Sequence, residues 1–242
     1  MTPALRDEVV RANVALSSLN LAKHTFGNAS AIDRAAGRVV IKPSGVPYHE
    51  LNAADLVVVD LDGRVVEGTL RPSSDLPTHL VLYRAFGAIG GIVHTHSHFA
   101  TAWAQAVREI PCLGTTHADH FRGAVPVTAP LTERELAGGY EENTGHAIVR
   151  RLAGLDPAHV PAVLVANHGS FVWGPSVSAA VETADILEEI ARMAYHTLTL
   201  KPGATAVSEA LSEKHFLRKH GANAYYGQPR APEPRGPGER KN

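Results

Sequence analysis

Residues 38–66 read RVVIKPSGVPYHELNAADLVVVDLDGRVV, and the short β-branched runs within them decide the fold class. Arg38-Val-Val-Ile41 and Leu56-Val-Val-Val-Asp60 are too short for helices and rich in side chains that suit a pleated surface. Asp62-Gly63 lies between two such runs and reads as a hairpin turn, because glycine accepts the positive φ that tight hairpins need. Strands joined this way run antiparallel.

Working outward, the texture becomes helical on both sides. Leu5, Val9, Ala12, Leu16 and Leu19 recur at steps of four and three, the stripe of an amphipathic helix. Asp75 is a candidate N-cap for a helix over Pro77–Phe86. Gly91-Ile-Val-His94 reads as a strand and Phe99–Val107 as a helix. Thr132 with Glu135 three residues on makes a capping box that opens a helix running towards Leu152. Ala162-Val-Leu-Val-Ala166 is a buried strand. Val177, Ala180, Val181, Ala184, Leu187, Ala191 and Ala194 form the stripe of a long helix. A last helix runs from Val207 to His220, with Gly221 placed to cap it. The expectation is an α/β single domain with a central, largely antiparallel β-sheet flanked by helices.

The 242 residues, 44% hydrophobic and 19% charged, suffice for one sizeable core. That domain is expected over 1–228. The tail 229–242, PRAPEPRGPGERKN, has nothing to bury and is expected to be disordered. A net charge of −1 gives no basic stripe for nucleic acid. Cys112 is the single cysteine, so no intrachain disulfide forms, which suits a reducing compartment. The first twenty residues mix charges into apolar positions, unlike a signal peptide. No stretch approaches the roughly 18 apolar residues of a membrane span. A soluble cytoplasmic protein, binding neither nucleic acid nor membrane, is expected.

The 14 histidines are the one compositional oddity. His94-Thr-His96 closes an apolar strand, where side chains two apart share a face and can reach one ion. His168 follows a second buried strand and precedes Gly169, where the backbone can turn sharply. Three neutral imidazoles with an open position suit catalytic zinc, and manganese or cobalt could substitute. An isolated His-x-His could equally be a pair at the core edge; the third histidine weighs against that. His98 is expected on the following helix rather than at the metal.

Gly27-Asn28-Ala29-Ser30, Lys42-Pro43-Ser44-Gly45, Ser73-Ser74-Asp75, His94-Thr-His96-Ser97, Gly114-Thr-Thr-His-Ala-Asp119 and Asn167-His168-Gly169 occur in this order. With the closing segment His215–Gln228, they resemble the class II aldolase and epimerase family from about Leu5 to Gln228, and within it the bacterial sugar-phosphate 4-epimerases. The resemblance implies a three-layer fold and a divalent metal, Zn2+ or alternatively Mn2+ or Co2+. It also implies a small sugar-phosphate substrate and a homotetramer with active sites at subunit interfaces. The implied reaction inverts C4 of L-ribulose 5-phosphate, giving D-xylulose 5-phosphate, by retro-aldol cleavage and aldol re-formation.

By the same resemblance, Asp119, Tyr226 and His215 are catalytic. Gly27, Asn28, Lys42, Ser44, Gly45, Ser73, Ser74 and Arg218 hold substrate and phosphate, and Asp75 joins His94, His96 and His168 beside the metal. Taken singly, these turns are ordinary turns, Asp75 a helix cap, Asp119 a turn residue and Tyr226 a C-terminal anchor. Related aldolases carry Glu where this chain has Asp75. His120 stands where the family pattern has Tyr. The rival readings are a class II sugar-phosphate aldolase of the fuculose or rhamnulose 1-phosphate type, and a non-catalytic module like the adducin head, which lacks the histidines.

Overall fold

The computed structural model describes residues 2–226. The tail expected to be disordered, 229–242, and the domain limit at 228 lie outside the described residues. Seven strands form one sheet: β1 Asn28–Asp33, β2 Arg38–Ile41, β3 Val57–Asp60, β4 Val65–Glu67, β5 Gly91–Thr95, β6 Ala162–Leu164 and β7 Ser170–Gly174, in the order β4-β3-β2-β1-β5-β7-β6. Every pairing within it is antiparallel. The hairpin at Asp62-Gly63 joins β3 to β4, and Gly63 takes φ +84° there.

Strand alternation sorts the core into two layers. Val40, Val58, Val93 and Val172 face α1 (Pro3–Ser18), α3 (His98–Gln105) and α7 (Val177–Leu200). Val39, Val59, Ile92, Phe171 and Trp173 face the other way, onto α2 (Leu76–Ala85) and α6 (Tyr140–Arg151). Helices therefore cover both faces of the antiparallel sheet. No helix among the described residues is long and apolar enough to cross a membrane.

Several expected boundaries shift. The capping box at Thr132 and Glu135 forms, but its helix, α5, spans only Glu133–Ala137. Gly138-Gly139 interrupts it, Gly139 adopts φ +105°, and α6 starts afresh at Tyr140. The strand expected over Ala162–Ala166 stops at Leu164, because Val165 N–H turns to the Gly169 carbonyl. Leu19 lies past the end of α1 and is exposed. Gly221 does follow α8 (Glu209–His220), but with φ −77°, so it ends the helix without the left-handed conformation expected of a glycine cap. Three elements escaped the sequence reading: β1, β7 and the short α4 (Thr115–Ala118).

Candidate active site and metal centre

One end of the sheet carries a cleft of about 380 Å³. The start of β1, the ends of β2 and β5, and the turn before β7 converge there, since Asn28 pairs with His94 and Thr95 with Ser170. The loop after β2 is zipped to the strand-like segment before α2. Ser44 N–H donates to the Arg71 carbonyl at 2.9 Å and Ser73 N–H to the Lys42 carbonyl at 3.0 Å. This brings Gly27, Asn28, Lys42, Ser44, Gly45, Ser73 and Ser74 into one wall of the cleft. Asp75, His94, His96 and His168 complete it, so all but one of the residues expected at the phosphate meet the metal candidates there.

The three histidines each present a ligand atom within 4.8 Å of the others. His94 is buried against Phe171, their rings stacked at 4.2 Å. Its Nδ1–H donates to the Ser170 carbonyl at 2.9 Å, which leaves the Nε2 lone pair aimed at His96 Nε2, 3.1 Å away. Converging lone pairs repel unless a cation lies between them, so this donor set fits a divalent ion. Burial, then the neighbouring His94, pushes His96 down to about 4 and His168 down to about 3, so both are neutral donors at pH 7.

Two glycines permit the approach. A Cβ on Gly169 would stand 2.6 Å from the Thr95 carbonyl oxygen, and one on Gly27 2.5 Å from that of His94. Gly169 thus serves close packing, while the sharp turn expected there falls on Asn167, at φ +61°.

Asp75 Oδ2 stands 4.0 Å from His94 Nε2. Its side chain makes no helix-cap bond; instead it accepts from Asn28 Nδ2 at 2.7 Å. Burial alone would raise its pKa, but His94, His79 and the Asn28 bond hold it below the usual carboxylate range. Beneath it, His79 Nδ1 meets Ser30 Oγ at 2.7 Å, which in turn meets the Tyr83 hydroxyl at 2.8 Å. Lys42 is buried, its Nζ donating to the Pro43 carbonyl and resting 5.0 Å from the Tyr48 ring; burial lowers its pKa.

Asp119, His215, Arg218 and Tyr226 form a second group, and none of them lines the cleft. Asp119 caps the C-terminus of α4. Arg218 grips it bidentately, Nε to Oδ1 at 2.8 Å and Nη2 to Oδ2 at 2.6 Å, while His215 Nδ1 lies 3.0 Å from Oδ1. Burial would raise the Asp119 carboxyl, but these bonds hold it below its ordinary value. The Arg218 guanidinium lies 4.6 Å from the centre of the exposed Tyr226 ring. Arg218, expected at the phosphate, therefore pairs with Asp119 in this chain. His120 packs against Lys219 Nζ at 3.2 Å; burial, then Lys219, pushes its pKa down to about 4.

The sequence reading missed Phe26, Tyr140 and Glu141, which also line the cleft. The Tyr140 hydroxyl lies 3.2 Å from His168 Nδ1. The Gly138-Gly139 pair ahead of it was the available signal: a helix restarting there places its first side chains at the cleft.

Fold and site together define a class II aldolase-type enzyme scaffold. The model of the Class II Aldolase and Adducin N-terminal domain matches residues 7–195, and the chain belongs to that family. Over 224 residues it is 52% identical to the L-ribulose-5-phosphate 4-epimerase UlaF of Salmonella paratyphi A, covering 93% of this chain and 98% of that protein. A solved L-fuculose 1-phosphate aldolase aligns with a TM-score of 0.76 at 27% identity, covering 89% of this chain and 95% of its own. The L-fuculose-1-phosphate aldolase of Thermus thermophilus shares the fold, with a TM-score of 0.65 at 24% identity over 84% of this chain and 98% of its own.

Proposed function

We propose that this chain is an L-ribulose-5-phosphate 4-epimerase, interconverting L-ribulose 5-phosphate and D-xylulose 5-phosphate by breaking and re-forming the C3–C4 bond. The observation that carries it is the meeting of His94, His96 and His168 with a wall of small polar turns in one cleft. The full-length identity with UlaF supports the same reaction. The ion is zinc in this proposal, with manganese or cobalt able to substitute; when bound, it supplies Lewis-acid stabilisation of negative charge developing on substrate oxygens.

The chain's own groups do the rest. Ser44, Ser73 and Ser74, with the backbone at Gly27 and Gly45, offer donors to the phosphate without bulk, and Lys42 adds positive charge. A base takes the C4 hydroxyl proton, and the C3–C4 bonding electrons pass into the ketone side. Glycolaldehyde phosphate then turns its other face, the bond re-forms, and an acid on that side returns the proton. Tyr226 and Asp119 serve the two faces, with His215 and Arg218 completing their surroundings.

These four groups lie outside the cleft of their own chain, which supports a homotetramer in which the neighbour's C-terminal helix, with the α4 end it grips through Asp119, completes each site. A class II aldolase is the second reading, favoured by the fuculose-phosphate aldolase likeness. Asp75, shorter than the Glu of related aldolases, weighs against it. The test is an assay of chelator-treated and zinc-restored protein on L-ribulose 5-phosphate. Metal-dependent formation of D-xylulose 5-phosphate is expected. Accumulation of dihydroxyacetone and glycolaldehyde phosphate, or cleavage of L-fuculose 1-phosphate in a parallel assay, would make it an aldolase, and no conversion of either substrate would refute both readings.

A further inference from the structure

α3 links two of the three clustered histidines. It starts at His98, two residues past His96. Near its other end, the Ala104 carbonyl accepts the N–H of Asn167 at 2.9 Å, the residue before His168. A helix of eight residues is a stiff rod about 12 Å long, so its placement fixes where both of these histidines sit.

That placement comes from α7. Ser97 occupies the N-cap position of α3 yet makes no side-chain cap bond. Glu188 takes over from across the fold: Oε1 accepts the N–H of Phe99 at 2.8 Å and Oε2 that of Ala100 at 2.9 Å. A carboxylate suits the positive end of the helix, and two bonds from one group fix rotation as well as position. One turn further along each helix, the Trp103 indole N–H donates to the Ala191 carbonyl at 3.0 Å. A local cap from Ser97 would have satisfied one of these donors and tied α3 to nothing else.

We infer that Glu188 is a positioning residue for the metal centre: through α3 it sets the separation of His96 and His168. The inference rests on the metal-centre reading above. Parent protein, Glu188→Gln and Glu188→Asp are compared by Co2+ titration, recording the absorption bands of the bound ion, alongside thermal unfolding of the metal-free forms. Glu188→Gln keeps one acceptor, loses the charge, and is expected to weaken Co2+ binding about 10–100-fold, the range for partners one step removed from a metal, with shifted bands. Glu188→Asp retains the charge and should recover part of the affinity. If Glu188→Gln does not fold, Glu188→Asp decides alone, its expected mark being altered bands with weakened binding. Parent-like affinity and bands in the folded variants, whatever their melting temperature, overturn the inference. A parent that binds no Co2+ overturns instead the metal centre on which it rests.

Discussion

The cleft around His94, His96 and His168 and the cluster around Asp119 are built in opposite ways. The cleft draws its side chains from strand ends and from turns laced together by backbone hydrogen bonds, so the sheet holds most of them, with α3 bracing the segments that carry His96 and His168. The Asp119 cluster joins a four-residue helix to the C-terminal one through side chains. Besides the Arg218 and His215 contacts with the carboxylate, His220 Nε2–H donates to the Asp119 carbonyl at 2.8 Å. A metal site needs fixed ligand spacing before the ion arrives, and backbone pairing supplies it. The acid–base groups proposed for the Asp119 cluster are carried on helices that dock through side chains. The contrast teaches that backbone pairing fixes the geometry around the three histidines, while side-chain charge pairs organise the surroundings of Asp119, an arrangement that suits the roles proposed for the two regions.

The largest effect expected is on the cleft side. His94→Ala removes the buried ligand whose tautomer Ser170 fixes, leaving two imidazoles. Bound metal, measured after dialysis against a weak chelator, should drop to background, and full occupancy would break the assignment. Tyr226→Phe probes the other region, keeping the ring over Arg218 but losing the transferable proton. Epimerisation should fall about 10²–10⁴-fold with metal content unchanged; a parent rate would reduce Tyr226 to a structural anchor. Ser44→Ala and Ser74→Ala return to the polar wall. Each should weaken inhibition by glycolaldehyde phosphate by about 1.5–3 kcal/mol and leave a phosphate-free analogue unaffected. Equal losses for both ligands would remove the phosphate from this wall.

The smallest effect per residue compares the two regions by pH. Burial pushes His79, behind the cleft, down to about 3 and His117, on α4, down to about 4, from an ordinary 6.5. Both are neutral when folded, so below 6.5 the unfolded chain binds more protons. Their stability contribution is whole above pH 6.5 and is lost as pH falls, ceasing to decline near 4 for His117 and near 3 for His79. Each should cost about 1.4 kcal/mol per pH unit below 6.5. Denaturant midpoints of metal-free protein at pH 7 and 5.5 measure the sum over these two and the similarly lowered His96, His120 and His168, and His117→Gln should flatten the slope by one histidine's share. An unchanged midpoint would mean that none of these rings is held neutral, and a parent slope in His117→Gln that His117 is not.

Sequence reading succeeded where a local rule was strong. The Asp62-Gly63 hairpin, the Thr132–Glu135 capping box and the α7 stripe each rest on residues within a few positions of one another, and each forms. It failed where local signals were weak. Ser170–Gly174 offers no alternation because both faces of β7 are buried, and Gly27-Asn28 reads as a polar turn although Asn28 opens a central strand paired on both sides. The helix expected through Gly138-Gly139 broke because the backbone restarts there at positive φ.

By itself, the sequence determined an antiparallel sheet under amphipathic helices, the histidines that meet at one point, and the family to which the chain belongs. Short-range patterning and ordered motifs carry that much. Only the tertiary structure decided that the turns of residues 27–28, 42–45 and 73–75 share a wall with those histidines, that Tyr140 and Glu141 join them, and that Arg218 grips Asp119 outside it. Those facts depend on the register Asn28↔His94 and on the docking of α8 onto α4, pairings of residues many tens of positions apart. No periodicity in the chain encodes which strand or helix meets which; the burial of both sheet faces selects it.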